Sequence, residues 1–227
     1  MINICTLKLR INNIEHITNS YIVYNEDKEA ILIDPGDQSQ KIINKIDELN
    51  LDLKYIILTH GHADHIGALE QISKRYNSEI IIHKLDYELL FDNFKNCSDK
   101  LDNMKFDLSN LDKSKIRIID SNESEVFLGK NKFEIIHTPG HTLGSICIYE
   151  RDSKSLFTGD TIFSNCHGRC DLYNSSFDKM LDTLKSIFNR FTEQDIIIYP
   201  GHNEIEKFDI AEKKIKLFLK ISKKITL

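Results

Sequence analysis

A nine-residue stretch, Thr59 to Gly67, constrains the fold of this chain more than any other part of it. The stretch reads THGHADHIG and follows the apolar run Tyr55 to Leu58, which predicts a loop between a buried strand and a helix. Three of the nine histidines in the chain lie in it, together with one aspartate. Imidazole and carboxylate groups suit zinc, iron or manganese, and open α/β sheets bind ligands at strand ends. The sequence therefore predicts a metal site at the end of a buried strand.

The spacing within this stretch permits a second metal position. His60 and His62 are two residues apart, so in an extended segment they point the same way and can share one ion. Asp64 and His65 come where the chain turns into a helix predicted to begin near Ile66, so they are expected to point elsewhere. This leaves room for a second ion close to the first.

The composition is that of an ordinary globular protein, and 227 residues suffice for one sizeable core, so we predict a single domain over residues 1–227. No apolar run reaches the roughly 18 residues that a membrane span needs. Residues 1–10 do not read as an export signal, and the five cysteines are odd in number and scattered, so we expect a cytoplasmic protein. The net charge of −5 and the pI near 6.0 argue against a nucleic-acid partner.

Apolar segments that end in turn-prone residues recur along the whole chain. The first three predict an antiparallel meander, and the later alternation of strand and helix patterns predicts an α/β layer. The predicted strands cover 1–10, 20–24, 30–34, 52–58, 79–83, 116–120, 132–137, 145–150, 155–158 and 195–199. The predicted helices cover 39–49, 67–76, 84–94, 177–191 and 211–221, and residues 96–114 are predicted to form a polar surface excursion. Two sheets covered outside by helices follow from this pattern, although the strand order does not.

Three later strand ends carry the same kinds of side chain. His141 stands in Thr-Pro-Gly-His-Thr, Asp160 in Gly-Asp-Thr and His202 in Pro-Gly-His, each directly after a predicted strand. A glycine before the ligand lets the backbone turn tightly beside an ion. Each motif alone is more typical of a polar surface loop. Together they give seven candidate metal ligands at four strand ends: His60, His62, Asp64, His65, His141, Asp160 and His202.

The complete set resembles that of the metallo-β-lactamase superfamily, and the resemblance covers nearly the whole chain. It implies the α/β (α+β) fold of that family, a four-layer αββα sandwich with a metal site at one edge between the two sheets. It also implies two bound zinc ions, with iron or manganese as alternatives.

The resemblance divides the seven ligands between two ions and a bridge. The first ion is expected to be bound by His60, His62 and His141. The second is expected to be bound by Asp64, His65 and His202, with Asp160 bridging the two. His137 lies four residues before His141 and competes for the first position, and the resemblance favours His141.

Two stretches, TPGHTLGS at 138–145 and GDTIFSNCHGRCDL at 159–172, resemble the glyoxalase-II-like hydrolases, particularly the short stand-alone members. This implies a hydrolase of small acyl-thioesters, similar to hydroxyacylglutathione hydrolases, in which a hydroxide bridging the metals is the nucleophile. There is no room after His202 for the helical glutathione-binding domain of full-length glyoxalase II, so specificity for S-lactoylglutathione is not implied. Family members commonly continue Pro-Gly-His with Gly-Pro, whereas this chain has Asn203-Glu204-Ile205, which alters the pocket rim beside the second ion.

The same resemblance implies roles for two residues in catalysis and substrate binding. Asp64, besides binding the second ion, is expected to accept the proton of the hydroxide. Arg169 resembles a basic residue that the glyoxalase-II-like proteins hold near the substrate, so it is predicted to bind a carboxylate or to orient its loop. An ion pair of Arg169 with Asp171 or Asp178 that braces the loop is an equally open interpretation.

Other functions are less well supported by these motifs. The persulfide dioxygenases of the superfamily also carry a Gly-Arg-x-Asp stretch and use one iron held by two histidines and one aspartate, but Asp64 to Ala68 resembles the hydrolase version. Nuclease activity requires a basic channel, which the acidic balance argues against. A metal-binding protein without catalysis is the least economical interpretation, given the acid at Asp64. Cys166, His167 and Cys170 are spaced too loosely to predict a further zinc site.

Overall fold

Two six-stranded sheets form the centre of the computed structural model, which describes residues 1–11, 16–101, 107–193 and 195–225, with side chains up to residue 221. The first sheet contains, in spatial order, β1 (Asn3–Arg10), β2 (Ile17–Tyr24), β3 (Glu29–Ile33), β4 (Asp52–Ile57), β5 (Glu79–His83) and β6 (Ile116–Ile119). The second contains β7 (Glu123–Leu128), β8 (Asn131–His137), β9 (Ile146–Glu150), β10 (Ser155–Gly159), β11 (Ile197–Pro200) and β12 (Glu206–Lys207). Each sheet follows the chain order, so consecutive strands are neighbours.

The two sheets differ in how their strands are paired. Strands β1 to β3 form the antiparallel meander that the sequence predicts, and β3 to β6 run parallel. In the second sheet only β10 and β11 pair in parallel, and the other neighbours are antiparallel. Parallel neighbours need a crossover connection, which helices supply here.

Helices cover the outer faces of both sheets. Helices α1 (Ser39–Glu48), α2 (Ala63–Ile66) and α3 (Leu69–Arg75) follow strands of the first sheet, and α4 (Phe177–Arg190) and α5 (Phe208–Ile225) flank β11 and β12 of the second. Short 3₁₀ helices lie at Lys84–Phe91, Ser98–Lys100 and Lys113–Lys115. At the start of α4 the Ser176 hydroxyl accepts from the Lys179 backbone N–H, which satisfies one of the free N–H groups of the first turn.

Three buried clusters show the four layers directly. Ile31 and Ile33 of β3 point inward and pack in the cluster between the sheets, whereas Ala30 and Leu32 of the same strand point outward to the helices α1 and α3. A third cluster joins the second sheet to α4 and α5. Because strands in the middle are buried on both faces, they read as continuous apolar runs in the sequence. The predicted αββα sandwich is confirmed; the assignment of residues 1–227 to one domain stays a prediction.

The structure corrects two of the predicted helices. The predicted helix 67–76 is preceded by the separate turn α2, so Asp64 and His65 lie on a helix and not on a loop. The predicted helix 84–94 is a 3₁₀ helix over Lys84–Phe91. Asp86 and Leu89 are three residues apart and share a face in either winding, so their spacing could not distinguish the two.

Other differences lie at strand edges and element ends. Strand β7 was not predicted, because it opens with charged residues and leaves Phe127 half exposed at the edge of its sheet. The excursion 96–114 is less superficial than expected, since Leu108 and Leu111 are buried against the first sheet, while residues 102–106 lie outside the described residues. Helix α5 begins at Phe208, three residues earlier than predicted.

Candidate metal centre

All seven predicted ligands meet at one edge of the sandwich, where strands of both sheets end. In chain order they come from the loop after β4 (His60, His62), helix α2 (Asp64, His65) and the turns after β8 (His141), β10 (Asp160) and β11 (His202). All are buried except His202, which is partly exposed. Segments more than 140 residues apart in sequence, from His60 to His202, therefore supply one cluster.

His60, His62 and His141 form the first group, in which one ring nitrogen of each residue lies within 4.8 Å of the others. His62 Nδ1 lies 2.9 Å from His141 Nε2. The three rings meet pairwise at 80–88°, with centroids 4.6–4.8 Å apart. The rings thus present edges, which carry the nitrogen atoms, to a shared centre.

Asp64, His65 and His202 form the second group. The Nε2 atoms of His65 and His202 are 3.3 Å apart. Asp64 Oδ2 lies 3.2 Å from the His202 Nε2 atom and 3.5 Å from the His65 Nε2 atom. The second group adjoins the first directly, since the ring centroids of His60 and His65 are 4.1 Å apart.

Asp160 lies between the two groups. Its Oδ2 atom is 3.5 Å from His141 Nε2 of the first group and 3.5 Å from His202 Nε2 of the second. Its Oδ1 atom is 3.4 Å from His65 Nε2. This is the position that a bridging carboxylate occupies.

Four of the histidines have the outer ring nitrogen tied to an acceptor. The Nδ1 atoms of His60, His65, His141 and His202 contact, in turn, Thr59 Oγ1 at 3.1 Å, Asp34 Oδ2 at 2.9 Å, the Arg169 carbonyl oxygen at 2.8 Å and the Ile17 carbonyl oxygen at 2.7 Å. Thr59 accepts because its own hydroxyl donates to Asp34. Each Nδ1 therefore carries a hydrogen, so Nε2 is the nitrogen of these four rings that is left to bind a cation.

The donor set fits a pair of zinc-like cations. Two atoms bound at about 2.1 Å to one tetrahedral ion lie about 3.4 Å apart, and the separations of 3.2–3.5 Å within the second group match that spacing. His60 Nε2 and Asp160 Oδ1 are buried without a hydrogen-bond partner among the described residues. A buried lone pair left without a partner is costly, and a cation would satisfy both atoms.

The electrostatics of the first group favour neutral imidazoles. Burial lowers the pKa of His60 well below its ordinary value, and neighbouring histidines lower it further. Burial together with His141 lowers the pKa of His62 to about 3, and burial also lowers the pKa of His141. Neutral imidazoles are the form that binds a metal.

The second group instead attracts positive charge. Burial opposes protonation of His65, but the Asp64, Asp160 and Asp34 carboxylates outweigh it and raise the His65 pKa to about 9. Asp160 and Asp64 likewise overcome burial and raise the pKa of His202 to about 10. Burial raises the pKa of Asp64, yet the surrounding histidines outweigh it and hold this pKa well below its ordinary range. A cation is therefore strongly favoured beside these carboxylates.

Asp34 orients the cluster, although the sequence motif Asp-Pro-Gly indicated only a turn. It is buried at the end of β3, where its carboxylate accepts from the Thr59 backbone N–H at 2.7 Å and from the Thr59 hydroxyl at 2.6 Å. The same carboxylate accepts from His65 Nδ1. Asp34 thereby fixes the start of the ligand loop and the ring of His65. An aspartate at a strand end was the one available signal.

Asp86 is a second buried carboxylate that sequence reasoning missed. It is fully buried on the 3₁₀ helix Lys84–Phe91 and accepts from the backbone N–H groups of Gly61 at 2.9 Å and Gly144 at 2.8 Å. The Thr142 hydroxyl at 2.7 Å and the Asn174 amide at 3.3 Å also donate to it. Burial raises the pKa of Asp86 to about 6, against the effect of these donors. It links the two loops that carry all three residues of the first group.

A pocket of about 430 Å³ opens onto the cluster. Cys97, Leu101, Phe163 and Leu172 form an apolar wall. Two cationic side chains, Lys100 and Arg169, lie at the same pocket. The pocket thus combines apolar surface with positive charge next to the candidate metal positions.

Arg169 both lines this pocket and pairs with a neighbour. Its guanidinium group donates to both carboxylate oxygens of Asp171, at 2.7 and 2.8 Å, with both side chains largely exposed. Its carbonyl oxygen accepts from His141 Nδ1. The geometry therefore includes the predicted brace to Asp171 and also leaves Arg169 beside the pocket.

The part of the chain that carries these ligands also matches a known protein family. A sequence model of the metallo-β-lactamase superfamily matches residues 14–202. The chain belongs to the metallo-β-lactamase superfamily. The predicted membership is thereby confirmed, and the matched range contains every candidate ligand.

Individual relatives of this superfamily member include hydrolases. Hydroxyacylglutathione hydrolase GloC of Haemophilus influenzae is 33% identical over 202 residues, which cover 88% of this chain and 92% of that protein. The probable polyketide biosynthesis zinc-dependent hydrolase PksB of Bacillus subtilis is 29% identical over 176 residues, or 78% of this chain and 68% of that one. The crystal structure of BLEG-1 B3 metallo-β-lactamase matches with a TM-score of 0.83 at 27% identity, covering 92% of this chain and 95% of that chain.

His137 and the group Cys166, His167 and Cys170 were the other metal-binding candidates in the sequence. His137 lies at the end of β8, where its Nε2 atom donates to the Leu143 carbonyl oxygen and its ring stacks on His83 with centroids 4.0 Å apart. Cys166, His167 and Cys170 join no metal-binding group within the described residues.

None of the described helices is long and apolar enough to cross a membrane.

Proposed function

We propose that this metallo-β-lactamase superfamily member is a zinc-dependent hydrolase of small acyl-thioesters. The observation that carries the proposal is the convergence of two groups of lone-pair donors on Asp160, at the floor of a pocket with apolar and cationic walls. The resemblance of its motifs to glyoxalase-II-like hydrolases and the similarity to GloC support the thioester class. The similarity to PksB, whose name includes zinc dependence, supports the metal.

In this proposal the seven ligands divide as the resemblance implies. His60, His62 and His141 would hold the first zinc ion, Asp64, His65 and His202 would hold the second, and Asp160 would be shared between them. Zinc bound in such a site lowers the pKa of water from about 15.7 to about 7 and polarises a carbonyl oxygen.

The chain's own groups supply proton transfer and substrate position. Asp64 Oδ2 lies at the pocket, and its depressed pKa keeps it ionised, so it is available to accept the proton of the attacking water. Phe163 and Leu172 offer apolar surface to the acyl or thiol part of the substrate. Arg169 and Lys100 attract a carboxylate at the end of the substrate away from the thioester. We also propose that the protein acts in the cytoplasm, which its five free cysteines support.

A panel of thioesters tests the proposed reaction. The zinc-loaded protein should hydrolyse S-lactoylglutathione and acyl-thioesters of other thiols, with two zinc ions per chain by elemental analysis. Steady-state rates measured beside metal content give the result directly. One iron per chain with oxygen uptake on glutathione persulfide would instead support a dioxygenase. No turnover of any thioester by protein that carries two zinc ions would contradict the thioesterase assignment.

Replacing Arg169 with alanine should raise KM for thioesters that carry a carboxylate by roughly fivefold, with kcat little changed. The reason is that an exposed charge pair contributes up to about 1 kcal/mol. The measurement is KM for acyl-glutathione beside that for an uncharged acyl-thioester, whose KM should not change.

The matched control is Arg151→Ala, which removes an exposed arginine that pairs with Glu134 away from the pocket. An Arg169→Ala variant that loses thermal stability but keeps both KM values would show that Arg169 only braces its loop through Asp171.

A further inference from the structure

Residues 16–19, at the start of β2, lie around the second group of ligands. The Ile17 carbonyl oxygen accepts from His202 Nδ1 at 2.7 Å. The Thr18 hydroxyl donates to Asp64 Oδ2 at 3.3 Å. The Asn19 backbone N–H donates at 2.7 Å to the carbonyl oxygen of Gly201, the residue before His202. Three consecutive residues therefore contact or orient the second metal position, although none is itself a predicted ligand.

His16 directly precedes these three residues, and its ring lies beside the same second metal position. Its Nε2 atom lies 2.9 Å from Asp64 Oδ2. Its ring centroid is 4.9 Å from that of His202, similar to the 5.2 Å between His65 and His202. One donor atom each of His16, Asp64 and His202 lie within 4.8 Å of one another. The spacing within this trio is thus like that within the sets already assigned to metal ions.

His16 approaches from the open side of the site. Its side chain is 40% exposed and lines the pocket, whereas that of His65 is fully buried. Catalytic zinc sites keep a position open to solvent or substrate and sometimes expand to five-coordinate. A neutral imidazole on this side would add a nitrogen ligand without changing the charge of the site.

We propose that His16 is an additional ligand of the second metal ion. The inference rests on the two-metal site proposed above and adds a fifth donor to its second position. A simple hydrogen bond from His16 to Asp64 would fit the same 2.9 Å separation, so the experiment must separate ligation from hydrogen bonding.

Two substitutions make that separation. In His16→Gln the side-chain amide can still donate to Asp64, but the imidazole nitrogen is lost. In His16→Phe both the donor and the ligand are lost while a flat ring is kept. Ligation predicts that both variants bind the second ion about tenfold or more weakly, with the first ion unaffected. Chelator competition measures the affinities, and cadmium NMR of the cadmium-loaded protein should show a shift of only the second-site resonance in both variants.

His137→Gln is the matched control, because it makes the same substitution at a partly buried histidine outside the metal groups. It should leave both cadmium resonances in place. A His16→Gln variant with the affinity and resonance of the unmodified chain would overturn ligation in favour of a hydrogen bond to Asp64, as would weaker binding without a change of resonance. An unmodified chain that binds no second cadmium ion would contradict the two-metal site itself, which is a separate failure.

Discussion

Replacing Asp160 with asparagine is expected to lower kcat/KM by more than about 100-fold and to reduce bound zinc at both positions. Groups that only orient a ligand cost 10–100-fold in affinity or activity, so loss of a shared ligand should cost more. The carboxylate lies within 3.5 Å of His141 in one group and of His65 and His202 in the other. Neutral asparagine cannot offset two cations. Elemental analysis and steady-state kinetics on the purified variant provide the measurement.

Two companion variants make this result specific to the bridge. Asp64→Asn should lose zinc from the second position and keep the first, because Asp64 approaches only the second group. Asp152→Asn removes an exposed aspartate in the turn after β9 and should change neither metal content nor rate. If Asp160→Asn retained two zinc ions and full activity, the bridging role would be excluded. Full activity of Asp64→Asn with both ions retained would exclude Asp64 as the proton acceptor.

The candidate ligands could be recognised in the sequence because most of them closely follow an apolar strand, often behind a glycine. Gly201 illustrates the reason for that glycine: a Cβ there would lie 2.6 Å from His65 Cε1 and against Asp160. Only a residue without a side chain lets the turn after β11 pass so close to the cluster. Such a constraint requires glycine next to the ligand in the sequence, which is why the motif Pro-Gly-His indicated a ligand at His202.

The residues that hold the ligands left no comparable trace. Asp34 lies 25 residues before Thr59, and Asp86 lies 56 residues before Thr142, so their hydrogen bonds depend on the packing of the sheets. His16 lies 48 residues before Asp64 and follows no recognisable motif. Spacing arguments apply within one element, and these contacts join elements whose order in the sheets the sequence did not predict.

The same limit explains the errors in the fold. Asp86 and Leu89 share a face in an α-helix and in a 3₁₀ helix alike. The hydrogen bonds of Asp86 with Gly61 and Gly144 join it to residues 25 and 58 positions away in sequence. Strand β7 pairs along its whole length with β8, yet its alternation is masked because polar Ser124 shares the buried face and apolar Phe127 shares the exposed face. Elements with a strong apolar pattern were predictable, whereas elements fixed by polar contacts from elsewhere were not.

Asp86→Asn is expected to weaken binding of the first zinc ion by about 10- to 100-fold and to destabilise the fold by about 2 kcal/mol. The amide group that replaces one carboxylate oxygen would face the backbone N–H of either Gly61 or Gly144. Both groups are hydrogen-bond donors, and a backbone N–H cannot become an acceptor. Thr142 can turn its hydroxyl to accept, so one buried N–H is left without a partner. For a chain of this length the loss corresponds to roughly 4–8 °C in Tm. Thermal unfolding of the zinc-loaded protein and chelator competition measure the two effects.

The position of Asp86 makes the metal effect selective. Gly61 lies between His60 and His62, and Thr142 follows His141, so the strained contacts reach the first group and not the second. Asp120→Asn is the matched control, since it removes an exposed carboxylate that pairs with Lys84 on the same 3₁₀ helix. It should leave both affinities unchanged. Equal weakening of the two ions in Asp86→Asn would mean a general loss of structure, whereas selective loss of the first ion would show that Asp86 positions the loops that carry its three histidines.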